Sequence, residues 1–78
     1  MDINKINSIV ADSLGINLGE IKEEANFFED YNCDQIEIND MMLKINNELQ
    51  VQIPENEFQA LQTVSDLYLI LEEYSDEV

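Results

Sequence analysis

The chain has 78 residues, and three lysines against eighteen acidic residues, with no arginine or histidine, give a net charge of −15. This charge repels phosphate backbones and anionic lipid, which argues against nucleic-acid and membrane-surface binding. The missing histidine removes the commonest general base and metal ligand, which argues against self-contained acid–base catalysis and favours a non-enzymatic protein. The hydrophobic fraction of 45% is enough for the core of one small domain.

The expected setting is the cytoplasm. The single cysteine, Cys33, cannot form an internal disulfide, and no apolar run approaches the ~20 residues that a membrane span needs. The Met-Asp-Ile-Asn start lacks the positive charge of a signal peptide. We therefore expect a cytoplasmic monomer whose partners are basic protein surfaces, because opposite charge speeds association and gives specificity.

The first predicted element is an amphipathic helix. Ile3, Ile6, Val10 and Leu14 recur at offsets of three and four, and Gly15 is suited to end the helix in a left-handed conformation. The periodicity is then lost over residues 16–33. A loop of this length is unusual in a compact domain, so we expect it to be functional or to contain a helical turn.

Capping residues predict the later helices. Asp34 begins the second helix, with Glu37 three residues on as its capping-box partner. Pro54 opens a short helix at Glu55–Leu61, and Thr63 caps the last one.

The predicted fold is all-α. It is a small bundle of three main helices plus one short helix, with a long first loop, and residues 1–78 form a single domain whose residues 75–78 fray. At least one methionine of the pair Met41-Met42 is expected in the core, and the other is a candidate for the surface. The predicted core is Ile3, Ile6, Val10, Leu14, Ile21, Phe27, Met41, Ile45, Leu49, Ile53, Phe58, Val64, Leu67 and Leu71.

A calcium loop is one interpretation of the acidic segment before the second helix. Asp30, Asn32 and Asp34 occupy positions 1, 3 and 5 of the EF-hand pattern, but Gln35 replaces its glycine and Met41 its bidentate glutamate. We therefore predict no specific metal site, only weak divalent binding at Asp30 and Asp34 that relieves carboxylate repulsion.

Five short segments provide a second interpretation. They are Ala25-Asn26-Phe27, Glu29-Asp30-Tyr31-Asn32, Asp34-Gln35-Ile36-Glu37, Ile53-Pro54-Glu55 and Thr63-Val64-Ser65-Asp66-Leu67. In this order they resemble the acyl carrier protein family, whose pattern reads Ala-Ser/Asn-Phe, Glu-Asp-Leu-Gly, Asp-Ser-Leu/Ile-Asp/Glu, Ile-Pro-Asp/Glu and Thr-Val-x-Asp-Leu. The resemblance covers nearly the whole chain and implies the family's helical bundle.

The resemblance fails at the residue that carries the family's chemistry. The serine of Asp-Ser-Leu holds phosphopantetheine, a flexible arm whose thiol bears the acyl thioester, and here Gln35 stands between Asp34 and Ile36. An amide nitrogen is delocalised into its carbonyl and is not a usable nucleophile, so we predict no phosphopantetheine. Asn32, at the family's glycine, still tolerates a left-handed turn, and Tyr31, at its leucine, needs a partner for its hydroxyl.

In the family, the second helix faces partner proteins. The resemblance therefore implies docking to synthase or transferase-like enzymes through Glu37, Asn39, Asp40, Met41 and Glu48. Cys33 is interpreted as a small half-buried residue and not a nucleophile, because neighbouring carboxylates raise the pKa of its thiol.

Two functional hypotheses remain. In the first, the chain is a non-catalytic acyl-carrier-like protein that docks onto partners but cannot be loaded at Gln35. In the alternative, it is a working carrier for fatty-acid or polyketide-type thioester biosynthesis, with an atypical or engineered residue 35 or another attachment point.

Overall fold

Four α-helices and one 3₁₀ turn make up the computed structural model, which describes residues 1–75. Within these residues there is no strand, only an isolated bridge between Asn26 and Thr63. The all-α prediction is confirmed. The elements are α1 (Ile3–Leu14), the 3₁₀ turn (Leu18–Glu20), α2 (Gln35–Leu49), α3 (Glu55–Ala60) and α4 (Val64–Tyr74).

The predicted helix boundaries follow from local caps. Gly15 ends α1 with φ of +70°, and its N–H donates to the carbonyl of Ala11. Asp34 and Thr63 both cap their helices through a reciprocal capping box. The short helix α3 ends one residue earlier than predicted, because Leu61 is extended, with ψ of 127°, and its side chain is completely buried.

The long loop is confirmed, and its backbone is paired with the start of α4. The N–H of Phe27 donates to the carbonyl of Gln62 at 2.8 Å, and the N–H of Val64 donates to that of Ala25 at 3.0 Å. The Phe27 side chain is fully buried. These contacts satisfy backbone groups that a long loop otherwise leaves unpaired, and they hold the loop against the bundle.

The core differs from the prediction at its edges. Ile3 is 43% exposed because it lies in the first turn of α1, while Leu14, Ile21 and Leu49 are only partly buried. Seven of the residues buried within residues 1–75 were absent from the predicted core. These are Ile9, Ala11, Ala25, Cys33, Ile38, Met42 and Leu61.

Both methionines of the pair are in the core and neither is at the surface, since Met41 and Met42 are both 0% exposed. Helix α2 buries both because its apolar face, which also includes Ile38 and Ile45, is wide enough to take adjacent positions.

The end of the chain is described as far as Ser75, whose N–H donates to the carbonyl of Leu71 at 2.7 Å. The rest of the segment predicted to fray, residues 76–78, lies outside the described residues. None of the helices in residues 1–75 is long and apolar enough to cross a bilayer.

The connection from α2 to α3 depends on one side chain. The Asn46 amide donates to the carbonyl of Ile53 and accepts from its N–H, both at 3.1 Å. One asparagine thereby satisfies both backbone groups of a residue whose side chain is buried in the core.

We expect Asn46→Ala to lower the free energy of unfolding by about 1–3 kcal/mol, because it leaves the N–H and carbonyl of Ile53 without these partners. Urea denaturation followed by circular dichroism measures the change. Asn47→Ala is the matched control, since Asn47 is an exposed neighbour on α2 with the same gain in helix propensity. Equal stability of the two variants would contradict the role of Asn46.

Candidate functional site

The candidate site lies where the long loop meets α2. The Asp34 carboxylate accepts from the N–H of Glu37 at 2.9 Å, and the Glu37 carboxylate accepts from that of Asp34 at 3.0 Å. This pairing begins α2 at Gln35. The next residue, Ile36, is 71% exposed. Of the three residues that the resemblance aligns with the attachment motif, Asp34 thus caps the helix, Gln35 is half-buried and Ile36 faces solvent.

The Gln35 side chain is half-buried and bonded in two directions. Its amide nitrogen donates to the Asn39 side-chain oxygen at 3.0 Å and to the carbonyl of Phe58 in α3 at 3.4 Å. The first contact, at i+4 along the helix, can be expected from sequence. The second joins residues 23 positions apart, and no local pattern indicates it.

The turn before α2 contains the two residues, Tyr31 and Asn32, that depart from the family pattern. Asn32 has φ of 58°, which confirms the left-handed turn expected of it. The Tyr31 hydroxyl accepts from the N–H of Lys22 at 2.9 Å and donates to the carbonyl of Glu20 at 2.6 Å. The tyrosine therefore supplies a bridge to the 3₁₀ turn that a leucine could not make.

The carboxylates at the site are bonded to backbone N–H groups. The Asp30 carboxylate accepts from the N–H of Asn26 at 2.7 Å, and that of Asp34 is part of the capping box. In residues 1–75 no group of three or more acidic, cysteine or histidine side chains is arranged to hold a metal ion. Weak divalent binding at Asp30 and Asp34 stays a prediction.

Cys33 is buried, with 8% of its surface exposed, and its Sγ lies 3.9 Å from the carbonyl oxygen of Tyr31. Burial raises the pKa of the thiol to about 11, and the charges of Glu37 and Asp34 add to the effect. The thiolate, which is the nucleophilic form, is scarce at neutral pH. Cys33 is thus more buried than expected and is not activated.

The exposed face of α2 includes most of the predicted docking residues. Glu37, Asp40 and Glu48 are exposed, and Asn39 is half-buried. Met41 cannot contact a partner, so its predicted docking role is wrong; it lies three residues after Ile38 and shares the core side of the helix.

Sequence reasoning missed Leu43, which is 52% exposed. Its offset of seven from Ile36 was the available signal, because residues seven apart lie on the same face of a helix.

The sequence is similar to one protein family and to several acyl carrier proteins. The family described as "Phosphopantetheine attachment site" matches residues 4–71. The acyl carrier protein of Clostridium acetobutylicum is 29% identical over 77 residues, covering 99% of this chain and 100% of that protein. That of Thermosynechococcus vestitus is 34% identical over 65 residues, covering 83% and 80%. That of Chlamydia muridarum is 28% identical over 68 residues, covering 87% and 88%.

We expect Tyr31→Phe to lower the free energy of unfolding by about 0.5–1.5 kcal/mol, because it removes the hydroxyl that bonds Lys22 and Glu20. Hydrogen exchange at the Lys22 amide should quicken in the same variant. Tyr31→Leu, the residue of the family pattern, should lose at least as much stability, since it also removes the ring that packs 6.1 Å from Phe27. Unchanged protection of the Lys22 amide in Tyr31→Phe would refute the bridge.

Proposed function

Because the chain belongs to the phosphopantetheine attachment site family, together with the acyl carrier proteins, we propose that it is an acyl-carrier-like protein that is not loaded at residue 35. It acts by docking onto partner proteins, as a decoy, regulator or structural subunit. Members of this family are carriers and not catalysts, which agrees with a chain that has no histidine. The observation that carries the proposal is the bonded amide of Gln35 at the first position of α2.

The side chains at the start of α2 do not fit attachment of phosphopantetheine. Attachment needs a hydroxyl oxygen that attacks a phosphorus atom of coenzyme A, and the Gln35 amide has no such oxygen. Both of its N–H groups have acceptors, in Asn39 and Phe58. The nearest hydroxyl in the sequence, on Tyr31, already bonds two backbone groups, and the Cys33 thiol is buried and protonated.

The exposed face of α2 is the proposed docking surface. Its apolar part consists of Ile36 and Leu43, which are 71% and 52% exposed. Glu37, Asp40 and Glu48 add three carboxylates to the same helix, in a chain whose net charge is −15. The complementary partner has an apolar patch with lysine or arginine around it, because such charges steer association and exclude wrong partners. Synthases and transferases are the proposed partners, because enzymes of these classes interact with acyl carrier proteins.

The alternative is a working carrier. It is supported by family membership and by relatives that are named acyl carrier proteins. The match to that of Clostridium acetobutylicum covers the whole of that protein. Under this alternative, phosphopantetheine is attached through another residue, or residue 35 replaces a natural serine. In either case the proposed setting is the cytoplasm and the proposed state is a monomer.

Loading separates the two hypotheses. We expect no mass gain when the chain is incubated with coenzyme A and a broad-specificity phosphopantetheinyl transferase and its intact mass is measured. Gln35→Ser should gain one phosphopantetheine group, because it supplies a hydroxyl at residue 35 and leaves the docking residues of α2 unaltered. Gln35→Ala is the matched control and should gain none.

The carrier of Clostridium acetobutylicum serves as the positive control for the transferase. An adduct on the unaltered chain would overturn the proposal that it is unloaded. An unmodified Gln35→Ser protein, beside a loaded positive control, would instead contradict the proposed docking surface.

We expect the carboxylates of α2 to strengthen binding to the transferase. We expect the double variant Asp40→Asn, Glu48→Gln to bind the same transferase about two- to tenfold more weakly at low salt, because it removes two carboxylates from the docking surface. The difference should shrink at high ionic strength. Titration by fluorescence anisotropy measures both effects. Glu72→Gln, Glu73→Gln on α4 makes the same change in net charge, and an equal loss in this control would exclude a specific surface.

A further inference from the structure

The short helix α3 has few anchors of its own. It has six residues, of which only Phe58 is buried, and Pro54 at its start makes no side-chain capping bond. A helix of this length is unstable in isolation, since the initiation of a helix is unfavourable and few backbone bonds follow. The position of α3 therefore depends on contacts with other elements.

Two side chains from other helices bond α3. The Tyr74 hydroxyl of α4 bonds the Glu57 carboxylate at 2.9 Å. The Gln35 amide of α2 donates to the carbonyl of Phe58 at 3.4 Å. The carbonyl of Phe58 lies near the end of α3, where carbonyl groups have no N–H partner in a following helical turn. It also accepts from the N–H of Leu61, at the same distance of 3.4 Å.

We propose that Gln35 is a latch that holds α3 against the first turn of α2. Its amide has two N–H donors, and Asn39 accepts one of them, which orients the amide so that the other points at Phe58. Reach is essential, because the donor nitrogen of glutamine is three bonds beyond Cβ. A serine hydroxyl is one bond beyond Cβ and cannot span the same gap. The latch exists whether or not any residue of the chain is loaded.

Amide hydrogen exchange measured residue by residue tests the latch. Gln35→Met keeps the length and helix propensity of the side chain but removes its donors, and Gln35→Ser also removes its reach. In both variants the amides of α3 should exchange about two- to tenfold faster, the effect expected for one lost hydrogen bond. Gln52→Met is the matched control at an exposed glutamine, and its α3 amides should exchange as in the unaltered chain.

Two further variants identify the bond responsible. Gln35→Glu keeps the shape and can accept from a reoriented Asn39 amide, but it presents no N–H to Phe58, so α3 should exchange as fast as in Gln35→Met. Asn39→Ala leaves the donor to Phe58 in place and should have a smaller effect than Gln35→Met. Unchanged α3 exchange in Gln35→Met would overturn the latch, as would an equal acceleration in α1, α2 and α4.

Discussion

The reciprocal capping box of Asp34 and Glu37 determines how α2 presents its side chains. It fixes the first helical residue at Gln35, and the helical period then sets the direction of every later residue. Gln35 consequently reaches toward α3, Ile36 points outward and Ile38 enters the core. A start displaced by one residue would rotate these side chains by about 100°. The core, the latch and the docking surface therefore all depend on this cap.

The loop before α2 is held by its backbone conformation at Asn32 and by the hydroxyl of Tyr31. The backbone needs a left-handed conformation at position 32, which asparagine adopts at modest energetic cost. The hydroxyl of Tyr31 then joins this turn to the carbonyl of Glu20 in the 3₁₀ turn and to the N–H of Lys22 just after it. The structure of the attachment region is thereby maintained by polar contacts that involve none of the attachment chemistry.

Residue 35 connects the two proposals for this chain. An amide is a poor nucleophile but a good double donor, and Gln35 uses both donors within the fold. Under the two proposals, the glutamine that takes the place of a loadable serine also adds a contact between α2 and α3. The acidic and apolar face of α2, which is the proposed docking surface, lies outside this contact.

The sequence by itself determined the four helices, the caps Gly15, Asp34 and Thr63, and the compatibility of Asn32 with a left-handed turn. These features depend on interactions between residues at most four apart, which a linear pattern contains. Only the tertiary structure decided that Met41 and Met42 are both buried and that Gln35 reaches Phe58. The reason is that burial and long-range bonds depend on how helices pack against one another, and residues distant in the chain meet only after packing.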